Sequence, residues 1–162
     1  MPVTAVFAIQ LVWFTLVAAL VMRLVVWPWS ARFPPHQRAA LFVAPQMSRV
    51  LGLGLLVPQL APGMPAEMAV PTAIGDATTA LLASIAFVLL HGARRGGLAV
   101  GWACMAVGIL DGMHALGTAV RLQVAGNLAT QWYGPVLNMP LMATCHVSGV
   151  IALRELGRLG SK

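Results

Sequence analysis

Residues 5–27 read AVFAIQLVWFTLVAALVMRLVVW, an apolar stretch in which Arg23 is the one charged side chain. About 20 consecutive apolar residues are enough to cross the hydrocarbon layer of a bilayer as an α-helix. The stretch therefore predicts a transmembrane helix. It begins almost at Met1, follows no basic segment and is longer than the apolar part of a signal peptide. We expect it to remain in the mature protein.

Four further stretches are long and apolar enough for the same role, and the connections between them are too short to form a soluble domain. The second is the least regular, because Pro45, Arg49 and Pro58 interrupt it. The sequence thus predicts an all-α integral membrane protein, in which residues 1–162 form one domain with five transmembrane helices in a single bundle. The predicted spans lie at about 5–27, 39–61, 69–91, 97–121 and 134–156.

The composition excludes an ordinary soluble domain. Hydrophobic residues make up 59% of the chain and charged residues only 9%, whereas soluble domains are about 45–50% apolar and about 25% charged. The mean hydropathy of +0.85 also excludes a disordered chain. The two cysteines, Cys104 and Cys145, lie on different predicted helices, so neither a disulfide scaffold nor a disulfide between them is expected.

The cations follow the connections between the spans. The net charge is +6, but the positive residues do not gather on one polar face with interleaved aromatics, which excludes nucleic acid as a partner. Connections rich in Lys and Arg stay in the cytoplasm, so we expect an outside amino terminus and a cytoplasmic carboxyl terminus. Membrane lipid is the expected partner of the basic WPWSARFPPHQR segment, residues 27–38. Eight of the ten cations flank alternate connections: Arg23, Arg32, Arg38, Arg94, Arg95, Arg154, Arg158 and Lys162.

Five ionisable side chains lie inside the predicted spans. Such side chains are costly in hydrocarbon and usually face the interior of a bundle or a water-filled cavity. At a rise of 1.5 Å per residue, they fall into one slab about 10 Å thick that crosses four helices. We therefore expect them to meet in a common site near the midplane of the bilayer. They are Arg49, Asp76, Asp111, His114 and His146.

Charge balance predicts the roles of these residues. An unpaired charge in hydrocarbon is severely unfavourable, so Arg49 is expected to pair with Asp76 and Asp111. A desolvated carboxyl group can donate a proton while a neighbouring carboxylate accepts one. We therefore assign Asp111 and Asp76 to acid/base catalysis and His146 to a proton relay. The residues assigned to ligand binding are Arg49, His114 and Asn138.

The leading hypothesis is a membrane enzyme or binding protein for a small lipid-soluble substrate, such as an isoprenoid, a sterol-like compound or a quinone. A proton-coupled transporter is an alternative. An accessory subunit of a larger membrane complex is another, in which the polar residues only hold helices together. A homo-oligomer is left open as the form of the protein in the membrane. A haem protein with His114 and His146 as ligands is a third. No metal site is expected, because too few ligands remain for zinc once Asp111 serves Arg49.

Several short motifs resemble an uncharacterised group of small bacterial inner-membrane proteins. The resemblance covers residues from about 49 to 153 and implies a multi-pass location in the bacterial cytoplasmic membrane, but no activity. His114 is not part of the pattern. The matching motifs are RVLGLGLL (49–56), PTAIGD (71–76), Trp102 with GILDG (108–112), PVLNMP (135–140) and the run from His146 to Ser148.

Overall fold

The computed structural model describes residues 1–160, and this part of the chain is helical with no β-strand. Five of its helices are long and apolar enough to cross a membrane. Their ends lie within five residues of the predicted spans. Lys162, one of the cations used to predict the orientation, lies outside the described residues. Numbered as spans 1–5, the helices are Val3–Ser30, Pro35–Leu56, Ala66–His91, Gly97–Leu122 and Ala129–Leu159.

Spans 1 and 5 each contain a π-helical turn. Each turn ends two residues before a proline, Pro28 in span 1 and Pro140 in span 5. A proline nitrogen cannot donate the next hydrogen bond of an α-helix, which favours a local widening of the helix in the preceding turn. Span 1 consists of α1 (Val3–Val21), a π turn (Met22–Val26) and α2 (Trp27–Ser30). Span 5 contains a π turn (Gly134–Asn138) and all but the last residue of α6 (Met139–Gly160).

Span 2 changes its helix type where a regular transmembrane α-helix was predicted. It begins as α3 (Pro35–Val43) and continues as a 3₁₀-helix, Ala44–Leu56. Runs of 3₁₀-helix longer than four residues are uncommon, and this one has 13 residues. Pro45 lacks the N–H that an α-helix needs at this position. The 3₁₀ segment covers about 26 Å at about 2.0 Å per residue, against about 20 Å as an α-helix.

Spans 3 and 4 are unbroken helices, α4 (Ala66–His91) and α5 (Gly97–Leu122). They pack against each other, and α4 also packs against the 3₁₀ segment. Span 1 lies at the edge of the bundle, and α1 has no buried residue. The main apolar core joins spans 2–5 with the end of span 1. Its buried members are Met22, Ala39, Ala40, Phe42, Val43, Ala83, Ala86, Leu90, Cys104, Met105, Cys145, Ala152 and Leu153.

The two ends of the bundle differ in charge. Arg32, Arg94 and Arg154 are exposed at the end where spans 1, 3 and 5 finish, which we name the arginine-rich end. At the opposite end, Arg121 forms an exposed ion pair with Glu67. The chain therefore has the charge asymmetry from which the sequence predicted its orientation.

Side-chain contacts connect the spans at both ends. At the arginine-rich end, Arg38 Nη1 lies 2.9 Å from Glu155 Oε2, and its guanidinium stacks 3.9 Å from the centre of the Trp27 ring. At the opposite end, Trp132 Nε1 donates a hydrogen bond of 2.8 Å to Gln10 Oε1. These contacts connect span 1 to span 2 and span 5 and so close the bundle.

Candidate functional site

Arg49 on the 3₁₀ segment contacts two carboxylates from two other helices. Its Nε lies 2.9 Å from Asp76 Oδ1 on α4, and its Nη2 lies 3.4 Å from Asp111 Oδ2 on α5. Its Nη1 donates a hydrogen bond of 2.9 Å to the carbonyl oxygen of Gly108. The structure therefore brings together the three charged residues that charge balance had paired.

The three charged side chains are enclosed, but incompletely. The exposed fraction is 13% for the Arg49 side chain, 14% for Asp76 and 7% for Asp111. As whole residues, none of the three belongs to the fully buried class. The expected pocket of buried Arg, Asp and His residues is thus not confirmed.

Two glycines make room for the carboxylates. The Asp76 carboxylate lies against Gly52 of the 3₁₀ segment, and a Cβ atom at Gly52 would overlap Asp76 Oδ2. The Asp111 carboxylate lies in the same way against Gly75 of α4, where a Cβ atom would overlap Asp111 Oδ1. Each carboxylate therefore occupies the space that a side chain on the neighbouring helix would otherwise fill.

Arg49 is seated in the same manner on Gly108 of α5, where a Cβ atom would lie 3.1 Å from Arg49 Nη1. The three contacts form a closed cycle. The charged side chain of span 2 contacts a glycine of α5. The carboxylate of α5 contacts a glycine of α4, and the carboxylate of α4 contacts a glycine of span 2. We name these three charged residues and three glycines the glycine-seated cluster. A movement of any one of the three helices therefore disturbs a contact with each of the other two.

The 3₁₀ geometry aligns the residues of span 2 that face the bundle interior. With three residues per turn, side chains three apart lie directly above one another, which places Gln46, Arg49 and Gly52 in one column. Gln46 is 1% exposed, and its Nε2 donates a hydrogen bond of 3.2 Å to the carbonyl oxygen of Met142. Its buried Oε1 has no hydrogen-bond partner among the described residues.

His146 lies beside the cluster without bonding to either carboxylate. Its Nε2 is 2.8 Å from the carbonyl oxygen of Met105 on α5, and its ring packs against Gly108. A carbonyl oxygen only accepts hydrogen bonds, so Nε2 carries the hydrogen and Nδ1 is the atom free to accept a proton. The proposed relay role of His146 stays a prediction.

The structure places the other two predicted ligand-binding residues at the margin of the site. Asn138 Oδ1 accepts a hydrogen bond of 3.0 Å from Ser48, the neighbour of Arg49 in the chain. His114 is exposed on α5, one turn beyond Asp111. His114 is exposed, whereas the Nε2 of His146 is already hydrogen-bonded to a carbonyl oxygen. The two histidines therefore lie in different surroundings, and the hypothesis of a haem bound by both has no support.

A family model described as "Domain of unknown function (DUF8737)" matches residues 6–154. The chain belongs to this family. No curated protein and no solved structure matches the chain. The family description names no activity, so the predicted membership of an uncharacterised group is confirmed, and the bacterial origin stays a prediction. The matched residues include the complete glycine-seated cluster.

Sequence reasoning on this DUF8737 chain missed the three glycines that contact the charged side chains. No role in the site was predicted for Gly52, Gly75 or Gly108. A signal was present, because each of the three helices carries a glycine one or three residues from its charged residue. The pairs are Arg49 with Gly52, Gly75 with Asp76, and Gly108 with Asp111.

Two surface depressions occur away from the cluster. One, of about 400 Å³, lies at the end opposite the arginine-rich end and includes Trp132 and Tyr133. The other, of about 360 Å³, follows the exposed face of α1 around Trp13. The cluster residues line neither depression, and the charged side chains meet by direct contact. Among residues 1–160, no three His, Cys, Asp or Glu side chains are grouped to hold a metal ion.

Proposed function

We propose that the protein is a multi-pass protein of the bacterial cytoplasmic membrane, with its arginine-rich end in the cytoplasm. Five apolar helices and the charge difference between the two ends support this orientation. We further propose that Arg49, Asp76 and Asp111 form a proton-exchanging site, which acts by acid/base chemistry on a small lipid-soluble substrate.

The observation that carries this proposal is the ratio of charges in the cluster. One guanidinium contacts two carboxyl groups, those of Asp76 and Asp111. With both carboxyl groups ionised, the cluster has a net charge of −1, which is unfavourable in a low-dielectric interior. One proton shared by Asp76 and Asp111 brings the net charge to zero and stabilises the pair.

Other titratable groups surround the pair. His114 follows Asp111 by three residues on α5, His146 approaches from α6, and the buried Cys104 thiol lies on the arginine-rich side. A protonated histidine is the other way to balance the charge. The direct contacts of Arg49 favour the shared proton, because Arg49 holds both carboxyl groups in place while the proton moves between them.

This arrangement suits acid/base chemistry without a net change in protons. The neutral carboxyl group donates its proton to a substrate oxygen, and the ionised carboxylate accepts a proton that the substrate releases. The nearby surface is apolar, with Val50, Ile74 and Leu110 exposed on the three helices that carry the cluster. A substrate dissolved in the hydrocarbon layer can reach this surface directly.

The proposed function is tested with the purified protein and an apolar lipid extract of its expression host. The extract is analysed by mass spectrometry before and after incubation with the wild type, Asp111→Asn and the control Glu67→Gln. Glu67 is an exposed acid at the opposite end of the bundle. We expect the wild type and the control to convert one component and Asp111→Asn to leave it unchanged. Equal conversion by all three proteins, or conversion by none, overturns the proposal.

A proton-coupled transporter is the second candidate, because Arg49 lies on a 3₁₀ segment within span 2. Interrupted helices carry the coupling site in many transporters. A change of this segment to an α-helix would shorten it by about 6 Å and move Arg49 relative to both carboxylates. Substrate flux into proteoliposomes that depends on a pH gradient supports transport, and conversion of the substrate without such flux excludes it.

A further inference from the structure

The chain that connects α5 to the π turn of span 5 lies across the end of span 2. We name residues 123–132 the strap. It contains two short 3₁₀ turns, Val124–Asn127 and Ala129–Trp132, at the end opposite the arginine-rich end. The strap contacts residues 54–63, which include the last residues of the 3₁₀ segment and the chain that follows it. The hydrogen bonds between the two regions join residues at least 64 positions apart in the sequence.

Two side chains of the strap bond to the main chain that follows span 2. Asn127 Nδ2 donates hydrogen bonds to the carbonyl oxygens of Pro62 and Gly63, at 3.4 and 3.0 Å. Thr130 Oγ1 donates a hydrogen bond of 3.0 Å to the carbonyl oxygen of Leu60. Because every acceptor is a carbonyl oxygen, these bonds fix the position of the backbone beyond span 2.

The strap also contacts the 3₁₀ segment itself and is attached to span 1. Gln131 packs so closely against Gly54 that a Cβ atom at Gly54 would overlap its Nε2. The next residue, Trp132, donates its hydrogen bond to Gln10, and its ring meets the Phe7 ring edge to face with 5.2 Å between the ring centres. Span 1 therefore fixes the strap, and the strap fixes the end of span 2.

The apolar core fixes the other end of the 3₁₀ segment. Phe42 and Val43, the last side chains of α3, are fully buried in this core. The 13 residues of the segment therefore connect two fixed points. A 3₁₀-helix of this length covers about 26 Å and an α-helix only about 20 Å. The longer form is the one that reaches from the core to the strap.

The backbone of the strap is strained at two positions. Gln123 has a φ of 52° and Ala129 a φ of 42°, in the left-handed region that residues with a side chain rarely adopt. These two residues flank the first 3₁₀ turn of the strap. Their strain opposes the hydrogen bonds of Asn127 and Thr130, so it lowers the free energy needed to release the strap.

We propose that the strap is a conformational switch that keeps residues 44–56 in the 3₁₀ form and so keeps the glycine-seated cluster assembled. When Asn127 and Thr130 release the backbone, the segment shortens to a kinked α-helix. Arg49 and Gly52 then no longer lie in one column, because three residues of an α-helix turn by about 300° rather than 360°. The proposal does not depend on the acid/base chemistry proposed for the cluster.

The test measures the length of span 2 by double electron–electron resonance on the purified full-length protein. Spin labels are attached to Gln37→Cys in α3 and to Val57→Cys, an exposed position directly after the 3₁₀ segment. All proteins carry Cys104→Ala and Cys145→Ala, so that only the introduced thiols are labelled. Circular dichroism confirms that each variant keeps the helix content of the wild type.

The released variant combines Asn127→Ala with Thr130→Val, which removes the three hydrogen bonds to the backbone. The control is Thr15→Val, because the Thr15 hydroxyl donates to the carbonyl oxygen of Leu11 in the same helix. We expect one distance in the wild type and in the control. The released variant should add a population with a distance about 6 Å shorter.

Thr130→Val alone removes a single hydrogen bond and is the milder variant. We expect it to give the same shorter distance with a smaller amplitude. If the double variant loses helix content, Thr130→Val decides alone, and the shorter distance supports the proposal. An unchanged distance in the folded variants overturns it, because packing against α4 then holds the 3₁₀ form without the strap.

Discussion

Asp111 on α5 lies directly against Gly75 on α4, so closely that a Cβ atom at Gly75 would overlap its Oδ1. The Asp111 carboxylate can lie at this position only because Gly75 on the neighbouring helix has no side chain. Because Asp111 also reaches Arg49 at 3.4 Å, a displacement at Gly75 passes to span 2. The geometry of the charges is therefore maintained by close helix packing as much as by their mutual attraction.

The first prediction concerns this contact between Asp111 and Gly75. Gly75→Ala forces either the Asp111 carboxylate or α4 to move, and overpacking of this kind costs about 1–3 kcal/mol. We expect the free energy of unfolding in detergent to fall by that amount. Gly117→Ala is the control, because a Cβ atom at Gly117 on α5 meets nothing within 4 Å. Equal stability of the two variants would show that Asp111 is not in close contact with Gly75.

The second prediction concerns the shape of the guanidinium. Arg49→Lys keeps the charge, but a single ammonium cannot reach both carboxylates and the Gly108 carbonyl in the same geometry. We expect a loss of about 1–3 kcal/mol in the free energy of unfolding, below the range of a fully buried pair because the site is partly exposed. Arg121→Gln breaks an exposed ion pair and should change the stability little. If Arg49→Lys lowers the free energy of unfolding as little as Arg121→Gln does, the contacts of Arg49 with both carboxylates contribute little to stability.

The third prediction is a coupling between charges. Removing Arg49 alone leaves two facing carboxyl groups, and removing Asp76 alone leaves a balanced pair of Arg49 and Asp111. In a double-mutant cycle of Arg49→Gln and Asp76→Asn, the double variant should therefore lose less stability than the sum of the single variants. Chemical unfolding of the four proteins measures the coupling. Additive losses would show that Arg49 and Asp76 act independently.

The fourth prediction concerns the apolar core on the arginine-rich side. Cys104 is 0% exposed and Cys145 is 3% exposed. A water-soluble maleimide should therefore leave both thiols unmodified in the folded protein and label both after unfolding. Thr4→Cys introduces an exposed thiol and is the positive control. Labelling of Cys104 at the rate of residue 4 would show that water reaches the core.

Much of the fold follows from the sequence, because membrane-length apolar stretches allow few alternatives. The 3₁₀ segment does not follow, since Pro45 and the glycines of span 2 are equally compatible with a kinked α-helix. In the structure this segment packs against α4. The sequence predicts that residues of this segment face the interior of the bundle. It does not predict the three-residue period that aligns Gln46 with Arg49.

The site was predictable in part. Charge balance was sufficient to pair Arg49 with Asp76 and Asp111, because hydrocarbon penalises any unpaired member. The position of His114 could not be predicted in this way, because three residues turn an α-helix by about 300°. That rotation leaves His114 about 60° away from Asp111, at the edge of the bundle rather than inside it. Spacing alone could not separate the two surroundings.

The central claim is that Asp76 and Asp111 share one proton beside Arg49. Infrared spectroscopy of the purified protein at neutral pH tests it by counting protonated carboxyl groups. We predict one such group per chain in the wild type and in the controls Glu67→Gln and Glu155→Gln. We predict none in either Asp76→Asn or Asp111→Asn, because the remaining carboxylate then pairs one-to-one with Arg49. A wild type without a protonated carboxyl group, or a signal that survives both substitutions, would contradict the claim.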